Sequence, residues 1–303
     1  MIGSGLILID KPAGLTSHDV VARVRRAAGT RKVGHAGTLD PMATGLLIVG
    51  LNSSTRLLTY IVGADKEYFA TIRLGAASTT DDAEGELLEP AGQEALDAVA
   101  ADAIATGIAG LTGEIDQVPS SVSAIKVDGK RAYARVRAGE QVELKARAVT
   151  VAEFELLETR REAGAIDLDV RVVCSSGTYI RSLARDLGAG LGVGGHLTAL
   201  RRSRVGAFHV RDAHDLATLD PAAALVPAVD AATRLFERLD LTEQQAIDLT
   251  HGRRIHVADR EGPGGEPVAA VAPNGALVGL VEFRGKEART LVNFPTDEAV
   301  SPA

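Results

Sequence analysis

Cysteine is nearly absent from this chain and tryptophan is absent altogether, since the 303 residues include one cysteine, Cys174. A single thiol excludes a disulfide framework within the chain and a metal site built from several cysteines. We therefore interpret Cys174 as a small buried residue rather than a nucleophile. The same scarcity leads us to expect the protein in a reducing compartment, the cytoplasm.

Long apolar runs are also missing. No stretch of the sequence approaches the roughly 18 apolar residues of a membrane helix. The apolar run at residues 6–9 is short, has no basic region before it and ends in Asp10-Lys11, which argues against a signal peptide. We expect no association with a membrane.

Positive charge is in the minority, because the formal net charge is −7. Two segments nevertheless carry a local surplus of +5: residues 11–35 and residues 171–210 each hold six lysines or arginines and one aspartate. A localised surplus of this kind is what a phosphate-binding face requires. Scattered, solvated arginines would give the same composition, so the charge pattern alone leaves both interpretations open.

Hydrophobic patterns predict a mixed α/β chain. Residues 6–9 read as a buried strand, and a helix with Ser17 as its N-cap is expected to end at Gly29. In the strand predicted at 66–74, Tyr68 shares a face with apolar neighbours. Asp128-Gly129 is typical of a two-residue hairpin turn. Further strands are predicted at 46–49, 149–157, 166–174, 197–200 and 207–210, helices at 95–109 and from about 177, and a loop at 31–44.

The composition changes between about 211 and 238, where alanine is frequent and two prolines occur. A capping-box pattern at 242–245 then opens a short helix. Short β-like runs follow at 268–271, 277–283 and 291–294. We therefore predict two domains, residues 1–238 and a small β-rich domain of residues 239–303.

The segment with the densest chemistry is Gly34–Gly45, GHAGTLDPMATG, which presents His35, Thr38 and Asp40 in a glycine-rich loop. A phosphate-binding P-loop is disfavoured because its Lys-Ser/Thr pair is missing. A metal site is disfavoured because His35 and Asp40 have no third ligand nearby, so we expect no metal. A turn in which Asp40 only caps backbone groups remains open.

This segment resembles the catalytic motif of the TruB family of bacterial tRNA pseudouridine-55 synthases, and four other segments resemble the family in the same order. The matches run from about residue 6 to 204. They comprise Asp10-Lys11-Pro12 with Gly14 and Thr16-Ser17; Lys66-Glu67-Tyr68 with Leu74-Gly75 and Thr80 to Gly85; Pro119, Ser123-Ala124, Lys126, Gly129 and Tyr133; and Cys174 to Leu183 with Leu200-Arg201-Arg202.

The resemblance implies a fold and a reaction. The fold is a pseudouridine synthase catalytic domain, with a mixed, largely antiparallel sheet flanked by helices, followed by a small domain of the PUA type. The reaction is isomerisation of the T-loop uridine 55 of tRNA through N-glycosidic cleavage, rotation of the uracil and reattachment at C5. It needs neither a metal nor an organic cofactor.

The resemblance also assigns catalytic roles. Asp40 is the catalytic carboxylate, as nucleophile or electrostatic stabiliser of the sugar carbon. Arg181 is expected to pair with Asp40 and hold it ionised and oriented. Tyr68 is expected to stack on the uracil and to take part in proton transfer at C5. Without the resemblance, Arg181 would read as an exposed helical arginine and Tyr68 as a core residue.

Five further residues are implied in substrate binding. His35 would occupy the space left by the flipped base, and Tyr179 would line the uracil pocket. Lys11 would support the catalytic loop. Arg201 and Arg202, together with the basic helix 17–28, would contact phosphates. Ordinary alternatives stay open here too, including a locally bonded loop histidine, a packed tyrosine and a surface lysine.

The implied partner is the T-arm stem-loop of tRNA, with no obligatory protein partner and a monomeric protein. Two rival functions remain. One is a synthase of the same superfamily acting on another RNA site. The other is a tRNA-folding chaperone without chemistry, which would not need the combination of Asp40, Tyr68 and Arg181.

Overall fold

The computed structural model describes residues 2–120, 144–258 and 265–294, together with the backbone of 126–127 and 130–131. The motif residues Ser123, Ala124, Gly129 and Tyr133 lie outside these ranges. The chain forms two compact units, one of residues 1–40, 46–62 and 206–303 and the other of residues 41–45 and 63–205. In the described part of the chain, no helix is both long and apolar enough to cross a membrane.

The first unit begins with a small mixed sheet. Its strand β1 pairs in parallel with β12 and antiparallel with β13, while β2 pairs antiparallel with β3. The elements are β1 (Gly5–Lys11), α1 (Ser17–Ala28), β2 (Val33–Ala36), β3 (Thr44–Leu51, in this unit from Leu46), α2 (Leu58–Gly63), β11 (Phe208–His209), β12 (His214–Asp215), β13 (Val226–Pro227) and α6 (Ala228–Leu235), with short 3-10 turns at Asn52–Arg56 and Val210–Asp212.

The end of the chain forms a five-stranded sheet with its own hydrophobic core, also within the first unit. The strand order is β14-β16-β17-β18-β15. The predicted capping box is confirmed, because Thr242 caps the helix α7 and Gln245 returns the bond. The domain boundary at residue 239 stays a prediction. The elements are β14 (Arg238–Asp240), α7 (Glu243–Thr250), β15 (Ile255–His256), β16 (Val268–Val271), β17 (Leu277–Arg284) and β18 (Glu287–Asn293).

The second unit is built on five antiparallel strands in the order β10-β4-β9-β8-β5. The first two residues of β3 add to it in parallel, beside Arg201 and Arg202 of β10. The elements are β4 (Lys66–Leu74), α3 (Gln93–Asp97), α4 (Ala101–Gly110), β5 (Gly113–Gln117), the paired β6 (Lys126–Val127) and β7 (Lys130–Arg131), β8 (Arg147–Glu162), β9 (Ala165–Cys174), α5 (Ile180–Gly190) and β10 (Gly195–Val205). The predicted α/β class, with mixed and largely antiparallel strands, is confirmed.

Alternation along β4 and β9 decides which residues the second unit buries. Tyr68, Ala70 and Ile72 are buried on one face of β4, and the even-numbered residues from Ile166 to Cys174 are buried in β9. The opposite face is polar and internally paired. Arg73, for example, binds Asp167 through two hydrogen bonds of 2.7 and 2.6 Å. The predicted two-faced strands are therefore confirmed.

Glycine allows α5 to lie directly against β10. A Cβ on Gly188 of the helix would come within 2.2 Å of the nitrogen of Gly195 in the strand. Any side chain there would push the helix away from the sheet, since real Cβ contacts of that length do not occur. This contact sets how closely α5, the helix that carries Arg181, packs against the sheet.

Three helix boundaries differ from the prediction. The N-cap of α1 is Thr16, because its extended backbone and its reciprocal bonds with Asp19 complete the capping box. The helix α5 starts at Ile180 rather than near 177, after an extended Tyr179. The helix predicted at 95–109 is two helices, α3 and α4. Arg161 donates to the carbonyls of Leu96 and Val99 and so satisfies the backbone at the break.

Two loop predictions are also wrong. The segment 31–44 contains the strand β2, because residues 33–36 pair with the second half of β3. The arginine cluster 201–204 does not separate two short strands. It lies within β10, where Arg201 and Arg202 continue the antiparallel pairing with β4.

Candidate active site

The loop that ends in Asp40 is held by the first turn of α1. The hydroxyl of Ser17 accepts a 2.9 Å hydrogen bond from the amide of Leu39 and donates a 3.2 Å bond to the carbonyl of Leu39. Ser17 is 1% exposed and Leu39 is 4% exposed, so water does not compete for these bonds. Asp40 itself is half-buried. Ser17, which lies 22 residues before Leu39 in the chain, thus holds the backbone that leads into Asp40.

Lys11 is fully buried at the end of β1. Its ammonium donates hydrogen bonds to the carbonyls of Pro12 (2.9 Å) and Leu15 (2.7 Å). These bonds close the turn that leads into α1. Lys11 is therefore not a surface lysine, and it supports the start of the helix from which Ser17 reaches the Asp40 loop.

His35 lies on β2, opposite Val49 of β3, and is half-buried. Its ring meets the ring of His18 edge to face, with centroids 5.7 Å apart and an interplanar angle of 79°. His18 is exposed at the start of α1. The first unit thus brings together two imidazoles, His35 on β2 and His18 at the start of α1.

In the second unit, Tyr68 and Arg202 are cross-strand partners. They occupy paired positions of β4 and β10, and they are 8% and 1% exposed. Paired positions of antiparallel strands point to the same face, so the phenol and the guanidinium share the buried face of the sheet. A Cβ on Gly45 would come within 2.3 Å of the Arg202 carbonyl, and Gly45 has a φ of +98°. Glycine is therefore required where the GHAGTLDPMATG segment meets β10.

Lys66 adds a second positive charge to that buried face. It is 5% exposed, lies two residues before Tyr68, and donates a hydrogen bond to the carbonyl of Ala64. Burial, together with repulsion by Arg202, lowers the pKa of Lys66 to about 8. Two buried basic side chains, Lys66 and Arg202, therefore lie on the face that holds Tyr68.

Arg181 is buried and ion-paired within the second unit. Its Nη1 lies 3.1 Å from Oδ2 of Asp82 and donates a 3.0 Å bond to the carbonyl of Thr80. The side chains of Arg181 and Asp82 are 5% and 2% exposed. A buried ion pair with an extra hydrogen bond holds the guanidinium in one orientation. The interpretation of Arg181 as an exposed helical arginine is therefore wrong.

A second arginine repeats this arrangement one turn further along α5. Arg185 binds Asp81 at 3.2 Å and donates a 2.7 Å bond to the carbonyl of Val118. Burial raises the pKa of Asp81, and Arg185 opposes that rise. Asp81 has a φ of +62°, a backbone conformation that costs free energy for a residue with a side chain. The acidic turn thus carries two adjacent carboxylates that receive two arginines spaced by four residues.

The side chain of Gln117 holds the backbone of Tyr179. The amide of Gln117 donates to its carbonyl (3.1 Å) and accepts from its N–H (2.8 Å). Tyr179 is half-buried and precedes α5 as the N-cap, while Gln117 is 2% exposed. The side-chain amide therefore fixes the point at which the chain enters the helix of Arg181.

Arg201 points away from Tyr68. It pairs with Phe69 across β10 and β4, and its Nη1 donates a 3.4 Å bond to the hydroxyl of Thr44. Phe69 is 41% exposed. Arg201 and Arg202 thus lie on opposite faces of the sheet, as successive strand residues must.

Cys174 is buried as predicted, and burial raises the pKa of its thiol to about 11. Over the ranges that the structure describes, no group of three or more histidine, cysteine, aspartate or glutamate side chains is arranged to hold a metal ion.

Comparison with protein families matches residues 25–180 to the TruB family pseudouridylate synthase N-terminal domain. Residues 181–243 and 236–295 match two C-terminal domains of tRNA pseudouridine synthases. The chain belongs to the TruB family. It is 78% identical to "tRNA pseudouridine synthase B" of Leifsonia xyli over 98% of this chain and 99% of the relative. It is 54% identical to the protein of that name from Thermobifida fusca, over 97% and 99%.

Solved structures agree with the TruB assignment. The chain resembles an H/ACA RNP bound to a substrate RNA containing 2′-deoxyuridine, with a TM-score of 0.70 and 26% identity over 97% of this chain and 86% of that chain. It also resembles a Cbf5-Nop10-Gar1 complex, with a TM-score of 0.69 and 26% identity over 98% and 87%.

Sequence reasoning missed the residues that hold Arg181, Arg185 and the start of α5. Asp81 and Asp82 were read only as an acidic turn, and Gln117 was not considered. A signal for the two aspartates was present, because two adjacent carboxylates match two arginines at positions i and i+4 of α5. Gln117 gave no signal, since a buried amide in a strand has no distinctive spacing.

Proposed function

We propose that this protein isomerises uridine to pseudouridine in tRNA, and that its target is the T-loop uridine 55. The observation that carries the proposal is the 78% identity, over nearly the whole of both chains, to a relative named tRNA pseudouridine synthase B. The GHAGTLDPMATG segment with Asp40 supports it from the sequence.

The reaction needs few catalytic groups. The N1–C1′ bond of uridine breaks and a C5–C1′ bond forms, while C5 loses a proton and N1 gains one. Atoms and electrons balance within the nucleotide, so no oxidant or co-substrate is required. The uracil leaves as a delocalised anion, and one carboxylate is enough to trap or stabilise the electron-poor sugar carbon. We assign that carboxylate to Asp40, as nucleophile or as electrostatic stabiliser.

Arg181 and Tyr68 complete the proposed catalytic set. Asp82 and Thr80 hold the guanidinium of Arg181 in one orientation. Its positive charge is therefore preorganised and does not have to move during the proposed reaction. Tyr68 offers a ring to the uracil and a hydroxyl for proton transfer at C5. Flipping the uridine out of a folded loop costs a few kcal/mol, and stacking on an aromatic ring returns roughly 1–3 kcal/mol.

The remaining assignments concern binding. His35 is proposed to fill the space left by the flipped base, and Tyr179 to line the uracil pocket. Lys11 supports the catalytic loop, and Arg201 and Arg202 are proposed to contact the tRNA. The buried position of Arg202 confines its role to the face that it shares with Tyr68. A monomer acting without a protein partner, in the cytoplasm where tRNA is found, is part of the proposal.

The test is to map pseudouridine in a tRNA transcript incubated with the purified protein. One product at position 55 is expected, and a transcript with cytidine at that position should give none. Activity should survive excess chelator when monovalent salt keeps the tRNA folded. Product at another position would favour a synthase with a different target.

Asp40→Asn separates an enzyme from a chaperone. The variant keeps the size of the side chain and removes its charge, so product should vanish while tRNA binding persists through phosphate contacts and stacking. A melting curve excludes unfolding as the cause. A folded Asp40→Asn protein that still forms pseudouridine would defeat the assignment of Asp40.

A further inference from the structure

The hydroxyl of Ser17 has a role that its place in the helix does not explain. The capping box of α1 is complete without it, because Thr16 and Asp19 exchange the capping bonds. Ser17 instead uses its hydroxyl as both donor and acceptor, and both bonds go to Leu39. Helical stability does not require a buried hydroxyl at this position.

The carbonyl of Leu39 belongs to the peptide bond that links Leu39 to Asp40. A peptide bond is planar, so a hydrogen bond to this oxygen fixes the plane that contains the nitrogen and Cα of Asp40. On the other side, Pro41 restricts Asp40 to extended backbone conformations. Between the two constraints, little freedom is left in the backbone that carries the carboxylate.

We propose that Ser17 is a positioning residue for the pseudouridine reaction, and that its two hydrogen bonds to Leu39 set the orientation of Asp40. The inference rests on the proposed function, because it takes Asp40 as the catalytic carboxylate. Ser17 touches no reacting atom, and it acts through the backbone alone. Small displacements of a reacting group lower rates steeply, so the loss of both bonds should be visible in the chemical step.

Ser17→Ala and Thr16→Ala form a matched pair. Both remove one hydroxyl from adjacent residues at the start of the same helix. Thr16→Ala removes the N-cap and should lower the melting temperature by a few degrees without slowing the reaction. Ser17→Ala should lower the single-turnover rate roughly ten- to hundred-fold, while the Kd for tRNA stays within about two-fold because no phosphate contact is lost.

A fall in single-turnover rate at an unchanged Kd is the readout that a purely structural role would not give, and amide exchange checks that the substitution has released the Leu39 backbone. In the wild-type protein the Leu39 amide is buried and bonded to Ser17. Ser17→Ala should accelerate exchange at Leu39 selectively, and Thr16→Ala should not. If Ser17→Ala does not fold, Ser17→Cys replaces it, since a thiol fills similar space but is a weak donor and acceptor.

Several results would overturn the inference: a folded Ser17→Ala or Ser17→Cys protein with a wild-type single-turnover rate, an equal loss of rate in Thr16→Ala, or unchanged exchange at Leu39. Asp40→Asn is measured in parallel. If Asp40→Asn is inactive and Ser17→Ala is not impaired, the positioning role fails and the proposed function stands. If Asp40→Asn remains active, the proposed function fails.

Discussion

Two segments of this chain carry the same surplus of positive charge and use it differently. In residues 11–35, the helix α1 presents Arg23, Arg25 and Arg26 to solvent. In residues 171–210, Arg171, Arg181 and Arg185 each bind carboxylates of the second unit. A count of charges measures how many cations are present and not how many are available to a phosphate. We therefore expect α1 to contribute more to RNA affinity, and residues 171–210 to contribute more to stability.

The largest effect should come from breaking the buried pair of the second segment. Asp82→Ala removes the carboxylate that binds the buried guanidinium of Arg181. The loss of this buried ion pair should lower the free energy of unfolding by roughly 3–5 kcal/mol. Denaturant unfolding measures this directly. Arg25→Ala on α1 is the matched surface change and should cost no more than about 0.5 kcal/mol. Equal losses in the two variants would remove the distinction between the segments.

The next effect concerns affinity. Replacing Arg23, Arg25 and Arg26 together with glutamine should raise the Kd for tRNA at least about ten-fold at low salt and flatten its salt dependence by roughly one unit of slope per lost phosphate contact. Glutamine is as good a helix former as arginine, so the helix should persist. Circular dichroism controls for the helix. A slope identical to that of the wild type would show that α1 faces away from the RNA.

A smaller effect concerns Lys66, which shares its buried face with Arg202. The folded protein releases the Lys66 proton near pH 8, whereas the unfolded chain holds it to about pH 10.4. Between these values the unfolded state binds more protons, so this group makes the protein more stable as the pH rises. Below pH 8 both states are protonated and the buried charge is a constant cost.

Lys66→Met tests this assignment. The variant should gain stability relative to the wild type below pH 8, on the order of 1 kcal/mol, and the gain should shrink between pH 8 and about 10.4. Unfolding curves at pH 7, 9 and 10 measure the difference. A difference that does not change with pH would mean that Lys66 keeps its ordinary pKa in the folded protein.

The sequence predicted the two-faced strands and the capping box of α7 well because both depend on local pattern. The alternation in β4 and β9 follows from burial of one face, and the capping box of α7 follows from residues three apart. The partners of Arg181 and the clamp on Leu39 depend on contacts across 99 and 22 residues, for which composition and periodicity carry no information. Ser17 was misread as a cap for this reason.

The arginine cluster 201–204 shows the same limit. Its sequence predicts a single basic patch, but the strand β10 distributes its members over two faces. Arg202 is buried opposite Tyr68, and Arg204 binds Asp65 at 2.8 Å. Arg201 remains beside Thr44 and Phe69 on the other face. The pairing register between β10 and β4 decides what each arginine can contact, and periodicity along the sequence does not reveal that register.

The smallest expected effect is that of Arg171→Gln on tRNA binding, and it is the sharpest test of the comparison. Arg171 lies within 2.9 Å of Glu67, 2.5 Å of Glu153 and 3.4 Å of Glu155, and hydrogen bonds with Glu153 and Glu67 raise its pKa. A cation that already faces three carboxylates releases few counterions when RNA binds, so its loss should leave the salt slope unchanged within about 0.3 unit. The carboxylates left behind act on RNA only within a Debye length, about 10 Å at 0.1 M salt, and the Kd should stay within roughly two-fold. Stability should fall by about 1 kcal/mol, because the pairs are half exposed.

The α1 triple variant, measured on the same tRNA across the same salt series, is the positive control. A loss of one full unit of slope in Arg171→Gln would mean that Arg171 leaves its carboxylates to contact a phosphate, and ion pairing would then not predict which of the two basic segments binds RNA.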